Sequence, residues 1–119
     1  MRCIYVAGAY SADDAISVFT NMRHGIHLAI EVLNAGFAPF VPWFDYHFSL
    51  LEHIPLYKYY EYSMSWLEKS DGVIVQPIGS RKSIGTQREL DKAKELGIPI
   101  FKSIEQMKEY FDERDRKSA

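Results

Sequence analysis

The stretch "CIYVAGAYSADD", residues 3–14, decides the fold class of this chain. It opens with a short apolar run that is rich in β-forming residues and ends at a glycine, which predicts a fully buried strand. Polar and acidic residues follow at once, and Ser11 and Asp13 are candidate N-caps of a helix. A buried strand that leads directly into a helix is the repeating unit of a parallel α/β sheet.

The helix after this strand is predicted from about Asp13 to Ala35. Its apolar residues recur at spacings of three and four, which is typical of an amphipathic helix with one face on the core. The residues of that face are Val18, Met22, Ile26, Ala29 and Leu33. Gly36 suits the position just beyond the last turn, where a left-handed backbone is common.

The rest of the chain repeats the alternation of strand and helix. Further strands are predicted at 37–42, 71–77 and 98–101, and further helices at 55–69, 84–97 and 103–117. Residues 43–55 have no clear period and are predicted to form a long loop. Pro39 and Pro42 favour an edge position for the second strand. We therefore expect one three-layer, Rossmann-like or flavodoxin-like α/β domain over residues 1–119, with a small parallel sheet of four or five strands.

The composition argues against several classes of function. The net charge is −2 and no block of basic residues occurs, so a polymeric nucleic acid is not the expected partner. The longest uncharged run near the middle of the chain is broken by glycine and proline, and the apolar opening lacks the pattern of a signal peptide. We expect a cytoplasmic protein that binds a small molecule and no membrane.

Neither a metal nor a cofactor is expected. The histidines do not have metal-ligand spacing with carboxylates or with the single cysteine, and they are His24, His27, His47 and His53. The cysteine, Cys3, lies in the first apolar run, so we expect its thiol to be buried in the strand and unreactive.

Two loops matter most for a ligand, because parallel sheets bind ligands beyond the carboxyl ends of their strands, where strand order reverses. The first loop, "GAYSADD" (residues 8–14), follows the first strand, and the second, "PIGSRKSIGT" (residues 77–86), follows the third. Both lead into helix N-termini, whose free N–H groups and dipole favour an anion.

Glu89, just after the second loop, has two interpretations. Thr86 and Glu89 have the spacing of a capping box, in which the glutamate only reaches back to the backbone N–H of the cap residue. Glu89 also lies at the carboxyl end of the third strand and at the rim of the helix face that meets the sheet, so it is a candidate catalytic carboxylate. Tyr5 is a candidate partner, because a buried phenol needs a hydrogen bond for its hydroxyl. The spacing leaves both interpretations open.

Four segments, taken in order, resemble the nucleoside 2-deoxyribosyltransferase superfamily, which includes deoxynucleotide N-hydrolases. They are "IYVAGAYS" (4–11), "PFVPWFDYHF" (39–48), "SWLEKSDGVIVQP" (65–77) and "SIGTQRELDKAKELGIPIF" (83–101). The resemblance implies that Glu89 is the nucleophile at the sugar C1′ and that Tyr5 hydrogen-bonds its carboxylate. It also implies an enzyme that acts on the N-glycosidic bond of a nucleoside or nucleotide.

Ser83 separates the branches of that superfamily. The resemblance implies that an Asp at this position holds the 5′-hydroxyl of a nucleoside, whereas a Ser binds a 5′-phosphate. We therefore expect a hydrolase of (deoxy)nucleoside 5′-monophosphates first, a base-exchanging transferase second and a non-catalytic nucleotide-binding protein third. Ser83 as an ordinary turn residue stays open. The expected substrate-binding residues are Gly8, Ser11, Ser63, Ser83, Gly85, Thr86 and His47.

Ser63 departs from the pattern. The resemblance implies an Asp here that binds the sugar hydroxyl and assists the leaving base, and a serine hydroxyl carries no charge. Ser63 is expected on the inward face of its helix. Its presence implies slow turnover, the use of another acid such as Asp45, or binding without cleavage. Asp71, at the start of the third strand, is interpreted as structural.

Aromatic residues concentrate between positions 43 and 62. They fit a pocket that stacks a nucleobase, with His47 at the base edge, and they equally fit a subunit interface. We expect a homodimer or a higher homo-oligomer. The residues are Trp43, Phe44, Tyr46, Phe48, Tyr57, Tyr59, Tyr60 and Tyr62.

Overall fold

The sheet is parallel and small, as the sequence predicts. A computed structural model of the protein describes residues 1–8, 13–76 and 84–118. Within these ranges four strands pair in the order β2-β1-β3-β4. They are β1 (Cys3–Ala7), β2 (Ala38–Phe40), β3 (Gly72–Val75) and β4 (Ile100–Phe101). All three pairings are parallel, and β2 lies at an edge, as its prolines indicate.

Four α-helices connect and follow these strands, with bounds within about two residues of the predicted ones. They are α1 (Ala15–Asn34), α2 (Leu56–Glu68), α3 (Ile84–Leu96) and α4 (Ile104–Ser118). The prediction of a long loop after β2 is wrong, because Pro42–Leu50 forms a 3₁₀ helix. Its first and last turns are closed by hydrogen bonds from Phe44 N to Val41 O and from Leu51 N to Phe48 O, both 3.2 Å. A helix with three residues per turn lacks the period that sequence patterns detect.

The ends of α1 follow local chemistry. Its N-cap is Asp14 and not the expected Asp13; the Asp14 carboxylate accepts hydrogen bonds from the backbone N–H of Ser17 at 2.8 Å and from the Ser17 hydroxyl at 2.9 Å. The other candidate cap, Ser11, lies outside the described residues. Beyond the last turn, Gly36 has a φ of 94°, a conformation that glycine adopts without steric cost. The helix therefore stops where the sequence predicts.

The sheet has a core on each face, which gives the three-layer architecture. Side chains of β1 and β3 alternate between the faces. Ile4, Val6 and Ile74 pack on one face with α1 and α4. Tyr5 and Val73 pack on the other face with α2 and α3.

The side of α1 that was predicted to face the core is only partly correct. Met22 and Ala29 pack toward the core as expected, but Ile26 and Leu33 are 42% and 51% exposed. The fully buried residues of the helix include Val32, one position before Leu33. The sheet covers a stripe that is rotated from the predicted one, and the neighbouring stripe that contains Ile26 and Leu33 is exposed.

The junction of β1 and β3 begins with a reciprocal pair of hydrogen bonds. Cys3 N donates to the Asp71 carboxylate, and Asp71 N donates to the Cys3 carbonyl, both at 2.8 Å. This confirms a structural role for Asp71. The expectation that Cys3 is buried is wrong: its thiol is exposed, because the residue is the first of β1 and lies at the rim of the sheet.

Gly72, the next residue, leaves no room for a side chain. A Cβ at this position would lie 2.8 Å from Cε2 of Phe101 and 3.3 Å from Cδ1 of Ile4. Phe101 is only 2% exposed, so its ring has little space to move. Close approach of β3 to its neighbours therefore requires glycine here.

We expect Gly72→Ala to lower the free energy of unfolding by roughly 1–3 kcal/mol through overpacking, measured by urea denaturation. The cost should shrink in a Phe101→Leu background, because the clash is with that ring and contacting residues couple in a double-mutant cycle. An unchanged cost in both backgrounds would contradict this account of Gly72.

Candidate active site

The carboxyl ends of β1 and β3 form the point where the strand order reverses. After β1 the chain enters α1 on one face of the sheet, and after β3 it enters α3 on the other. The hydrogen bonding between β1 and β3 continues to this edge through a 2.8 Å bond from Gln76 N to Ala7 O. Gly8 follows β1 directly and is buried. In sheets of this kind the diverging loops open a crevice for a ligand.

Glu89 enters this region from the second turn of α3. It lies one helical turn before Ala93, which is completely buried against the sheet, so the two residues share a face. Its Oε2 atom is buried and has no hydrogen-bond partner among the described residues. An ionisable oxygen enclosed in this way is unusual, because burial penalises its charged form.

The capping-box interpretation of Glu89 is wrong. It requires Thr86 to be the N-cap, but α3 already begins at Ile84, so Thr86 lies inside the helix. The Thr86 side chain is itself buried, at 8% exposure.

The expected phosphate-binding residues are only partly described. Gly85 lies in the first turn of α3, whereas Ser83 and Ser11 lie outside the described residues.

Tyr5 of β1 and Glu89 of α3 meet. The phenol is completely buried, and its proximity to the carboxyl group lowers the pKa of Glu89. Burial acts in the opposite direction and is stronger, so it raises that pKa to about 8. A carboxyl group shifted this far by desolvation, with one specific neighbour at the carboxyl edge of a parallel sheet, is typical of functional sites.

Ser63 occupies the inward face of α2, as expected, and is 9% exposed. Contacts between helices hold α2 against α3: the Arg88 guanidinium lies 5.3 Å from the ring centre of Tyr60, and Lys92 Nζ lies 3.8 Å from a Glu68 carboxylate oxygen.

Asp45, the acid that could take the place of the aspartate missing at position 63, is half-buried in the 3₁₀ helix. No described contact joins Asp45 to Glu89.

An aromatic cluster extends from Tyr5 along the α2 side of the sheet. Its central residue is Phe40, whose ring centre lies 5.5 Å from that of Tyr5 and 5.4 Å from that of Trp66, with which it stacks. Tyr62 completes the cluster at 6.2 Å from Phe40. Phe40 is not among the site residues expected from the sequence, because its position depends on the register that places it beside Tyr5.

His47 does not join this arrangement. It lies on the exposed side of the 3₁₀ helix, where its Nδ1 contacts the Phe44 carbonyl oxygen at 2.9 Å. Within the described part of the chain, no contact links it to Tyr5 or Glu89. Its expected position at the edge of a nucleobase stays a prediction.

The described residues bring no three His, Cys, Asp or Glu side chains together in a group that could hold a metal ion. None of the helices in the described ranges combines the length and apolar character needed to cross a lipid bilayer.

Comparison of the sequence with protein-family models and with curated proteins gives no match. Comparison with solved structures finds a 2-deoxyribosyltransferase from the psychrotolerant bacterium Bacillus psychrosaccharolyticus, with a TM-score of 0.61. The two chains are 15% identical, and the match covers 82% of this chain and 69% of the other. That enzyme is described as a biocatalyst for the synthesis of antiviral and antitumoral nucleosides. The three-layer α/β fold of this chain is therefore that of a 2-deoxyribosyltransferase.

Proposed function

We propose that this protein is an enzyme that cleaves the N-glycosidic bond of a (deoxy)nucleoside 5′-monophosphate, with Glu89 as the nucleophile at C1′. The observation that carries the proposal is the buried carboxyl group of Glu89, joined by the Tyr5 phenol at the carboxyl edge of β1 and β3. The fold shared with a 2-deoxyribosyltransferase supports the same chemistry.

The reaction proceeds in two displacements. A Glu89 oxygen forms a bond to C1′ while the bond from C1′ to the base nitrogen breaks, and the base leaves after taking up a proton. Positive charge develops on the sugar ring during this step, and the adjacent carboxylate stabilises it. Water then attacks C1′, gives up a proton and releases the sugar phosphate, which restores the free carboxylate.

Tyr5 is assigned a positioning and tuning role. Its hydroxyl donates to the Glu89 carboxylate, which orients the attacking oxygen and favours the ionised form. The second effect matters because burial alone leaves the carboxyl group largely protonated near neutral pH, and a protonated carboxyl group cannot attack C1′.

The 5′-phosphate is assigned to the two loops beyond the sheet edge. Ser11 and Ser83 supply hydroxyl groups, while Gly85 and Thr86 belong to the first turn of α3, whose N–H groups and dipole favour an anion. Gly8 is assigned to the floor of this region, where a residue without a side chain lets the sugar approach the backbone. The base is assigned to the aromatic cluster around Phe40, with His47 at its edge.

A transferase is the second candidate, supported by the activity of the protein that shares this fold. In that case a second base, rather than water, accepts the sugar from Glu89. A nucleotide-binding protein without catalysis is the third candidate, favoured by Ser63, which carries no charge, and by the raised pKa of Glu89. An acceptor base added to the assay separates the first two, and binding without turnover identifies the third.

The proposal also includes the cellular location, the extent of the domain, the partners and the assembly of the protein. We place the activity in the cytoplasm, in a single domain over residues 1–119, without a metal or cofactor and without a polymeric nucleic acid or membrane as partner. We also propose that the protein acts as a homo-oligomer.

Glu89→Gln should abolish turnover. The amide keeps the size and polarity of the side chain but cannot attack C1′, so we expect a loss of roughly a thousandfold or more in the release of free base. Nucleotide binding and folding should persist. The matched control is Glu95→Gln, an exposed residue of the same helix, which should keep normal activity. Near-normal turnover by Glu89→Gln would refute the assignment.

Activity should rise with pH through the pKa of Glu89. With a pKa of about 8, the ionised fraction increases about tenfold between pH 7 and pH 9, and kcat/KM should follow it. Tyr5→Phe removes the hydrogen bond that lowers this pKa, so its profile should move to higher pH. A profile that is flat in this range, or unmoved in Tyr5→Phe, would contradict the proposed roles.

Stability offers a test that does not depend on activity. The folded state raises the pKa of Glu89 above its ordinary 4.5, so it binds the proton more tightly than the unfolded state, and stability falls as pH rises from about 4.5 to about 8. Glu89→Gln removes this penalty. Its melting temperature should exceed that of the wild type more at pH 8 than at pH 5. An equal difference at both values would show that the carboxyl group is not desolvated.

A further inference from the structure

The helix that carries half of the aromatic cluster offers that cluster no acid. Tyr62 and Trp66 lie on α2, and the buried residue between them in the chain is Ser63, whose hydroxyl carries no charge. The two acids of α2 have other surroundings, since Glu61 is exposed and Glu68 is paired with a lysine of α3. This helix therefore has no carboxyl group with which to protonate a leaving base.

A second acid is also missing beside Glu89. In the part of the chain that the structure describes, the pKa of Glu89 responds to burial and to Tyr5 and to no further charged group. Residues 9–12 and 77–83, which lie outside that part, contain no aspartate, glutamate or histidine. An ordinary purine or pyrimidine departs as an anion unless an acid protonates it. The chain is therefore poorly equipped to expel an uncharged base.

The aromatic cluster is suited to a ring that is positively charged. Phe40 stacks on Trp66 at 5.4 Å, and Trp66 is 46% exposed, so part of its indole is open to a ligand. The faces of aromatic rings attract cations, and tryptophan does so most strongly. Arginines of the described ranges lie over rings outside the cluster, and these rings are Tyr60, Tyr110 and Phe111.

We propose that the substrates of this site are nucleotides whose base is a fixed cation, a pyridinium or an N7-alkylated purine, an inference that rests on the proposed role of Glu89. The cationic ring stacks in the aromatic cluster, so its charge lies close to the Glu89 carboxyl group. A positive charge there favours the ionised carboxylate. The substrate thus supplies the opposite charge that the described residues do not provide for Glu89.

Cleavage of such a substrate needs no acid. A Glu89 oxygen forms a bond to C1′ while the bond from C1′ to the ring nitrogen breaks, and the electron pair of that bond passes to the nitrogen. The nitrogen loses its positive charge, so the base leaves as a neutral molecule without taking up a proton. Water then attacks C1′, which frees the Glu89 carboxylate and releases the sugar phosphate and one proton.

The first experiment measures base release from two pairs of nucleotides that differ in the charge of the base. One pair is 7-methylguanosine 5′-monophosphate and GMP, each with ribose and with 2′-deoxyribose. The other is nicotinamide mononucleotide and UMP. After subtraction of spontaneous cleavage, kcat/KM for the cationic member of at least one pair should be roughly a hundredfold higher or more, because the uncharged bases lack an acid. The pair that responds identifies the ring.

The outcomes separate this inference from the proposed function. Equal or faster cleavage of the uncharged member in both pairs would overturn the inference and leave the proposed function standing. Cleavage of none of these nucleotides, and of no other ordinary (deoxy)nucleotide, would overturn both. Glu89→Gln should abolish the cleavage of the cationic probes.

A binding experiment separates recognition of the charge from the greater lability of cationic substrates. Dissociation constants of nicotinamide mononucleotide and UMP are measured by calorimetry in the Glu89→Gln background, where neither is cleaved. Adding Trp66→Leu should weaken the binding of nicotinamide mononucleotide roughly three- to tenfold and that of UMP less, because the face of the indole is lost. Equal weakening of both nucleotides, or no binding of nicotinamide mononucleotide and of 7-methylguanosine 5′-monophosphate, would overturn the proposal.

Two further variants serve as controls for the loss of the ring. Trp66→Phe keeps an aromatic face at the same position, so it should retain most of the preference for the cationic nucleotide. Phe19→Leu removes an aromatic side chain that is 62% exposed on α1, which packs on the other face of the sheet. It should leave both dissociation constants unchanged, and an effect equal to that of Trp66→Leu would refute the role of the cluster.

Discussion

The pairing of β1 with β3 is the constraint on which the rest of the structure depends. Its first rung is the reciprocal hydrogen bonding of Cys3 and Asp71, and its close approach relies on Gly72. The register aligns Tyr5 with Val73 and Ala7 with Val75. Because the chain leaves these two strands on opposite faces, their carboxyl ends are the point where strand order reverses. The phenol of Tyr5 on β1 and the carboxyl group of Glu89 on α3, the helix that follows β3, lie close together there.

Burying the carboxyl group of Glu89 beside Tyr5 lowers the stability of the folded state, and the rest of the fold has to offset this cost. Burial of the carboxyl group raises its pKa to about 8, and the nearby phenol of Tyr5 offsets only part of that shift. A glutamine would fill the same space without this penalty, so stability alone does not explain a glutamate here. Buried ionisable residues that reduce stability are characteristic of functional sites. In the proposed reaction, the same desolvation that weakens the acid would make its ionised form a stronger nucleophile once the substrate has displaced water.

The sequence by itself determined the strands and the α-helices of the fold and indicated candidate residues for its site. Apolar runs located the strands, periodicity located the helices, and Gly36 and Gly97 marked two helix ends through their positive φ, because each of these signals acts between near neighbours in the chain. Tyr5 and Glu89 were also identified from the sequence. Only the tertiary structure decided which stripe of α1 meets the sheet, that Cys3 is exposed, and that Phe40 lies beside Tyr5. These features depend on contacts between distant segments, and a pKa of about 8 at Glu89 arises from the surroundings that such contacts create.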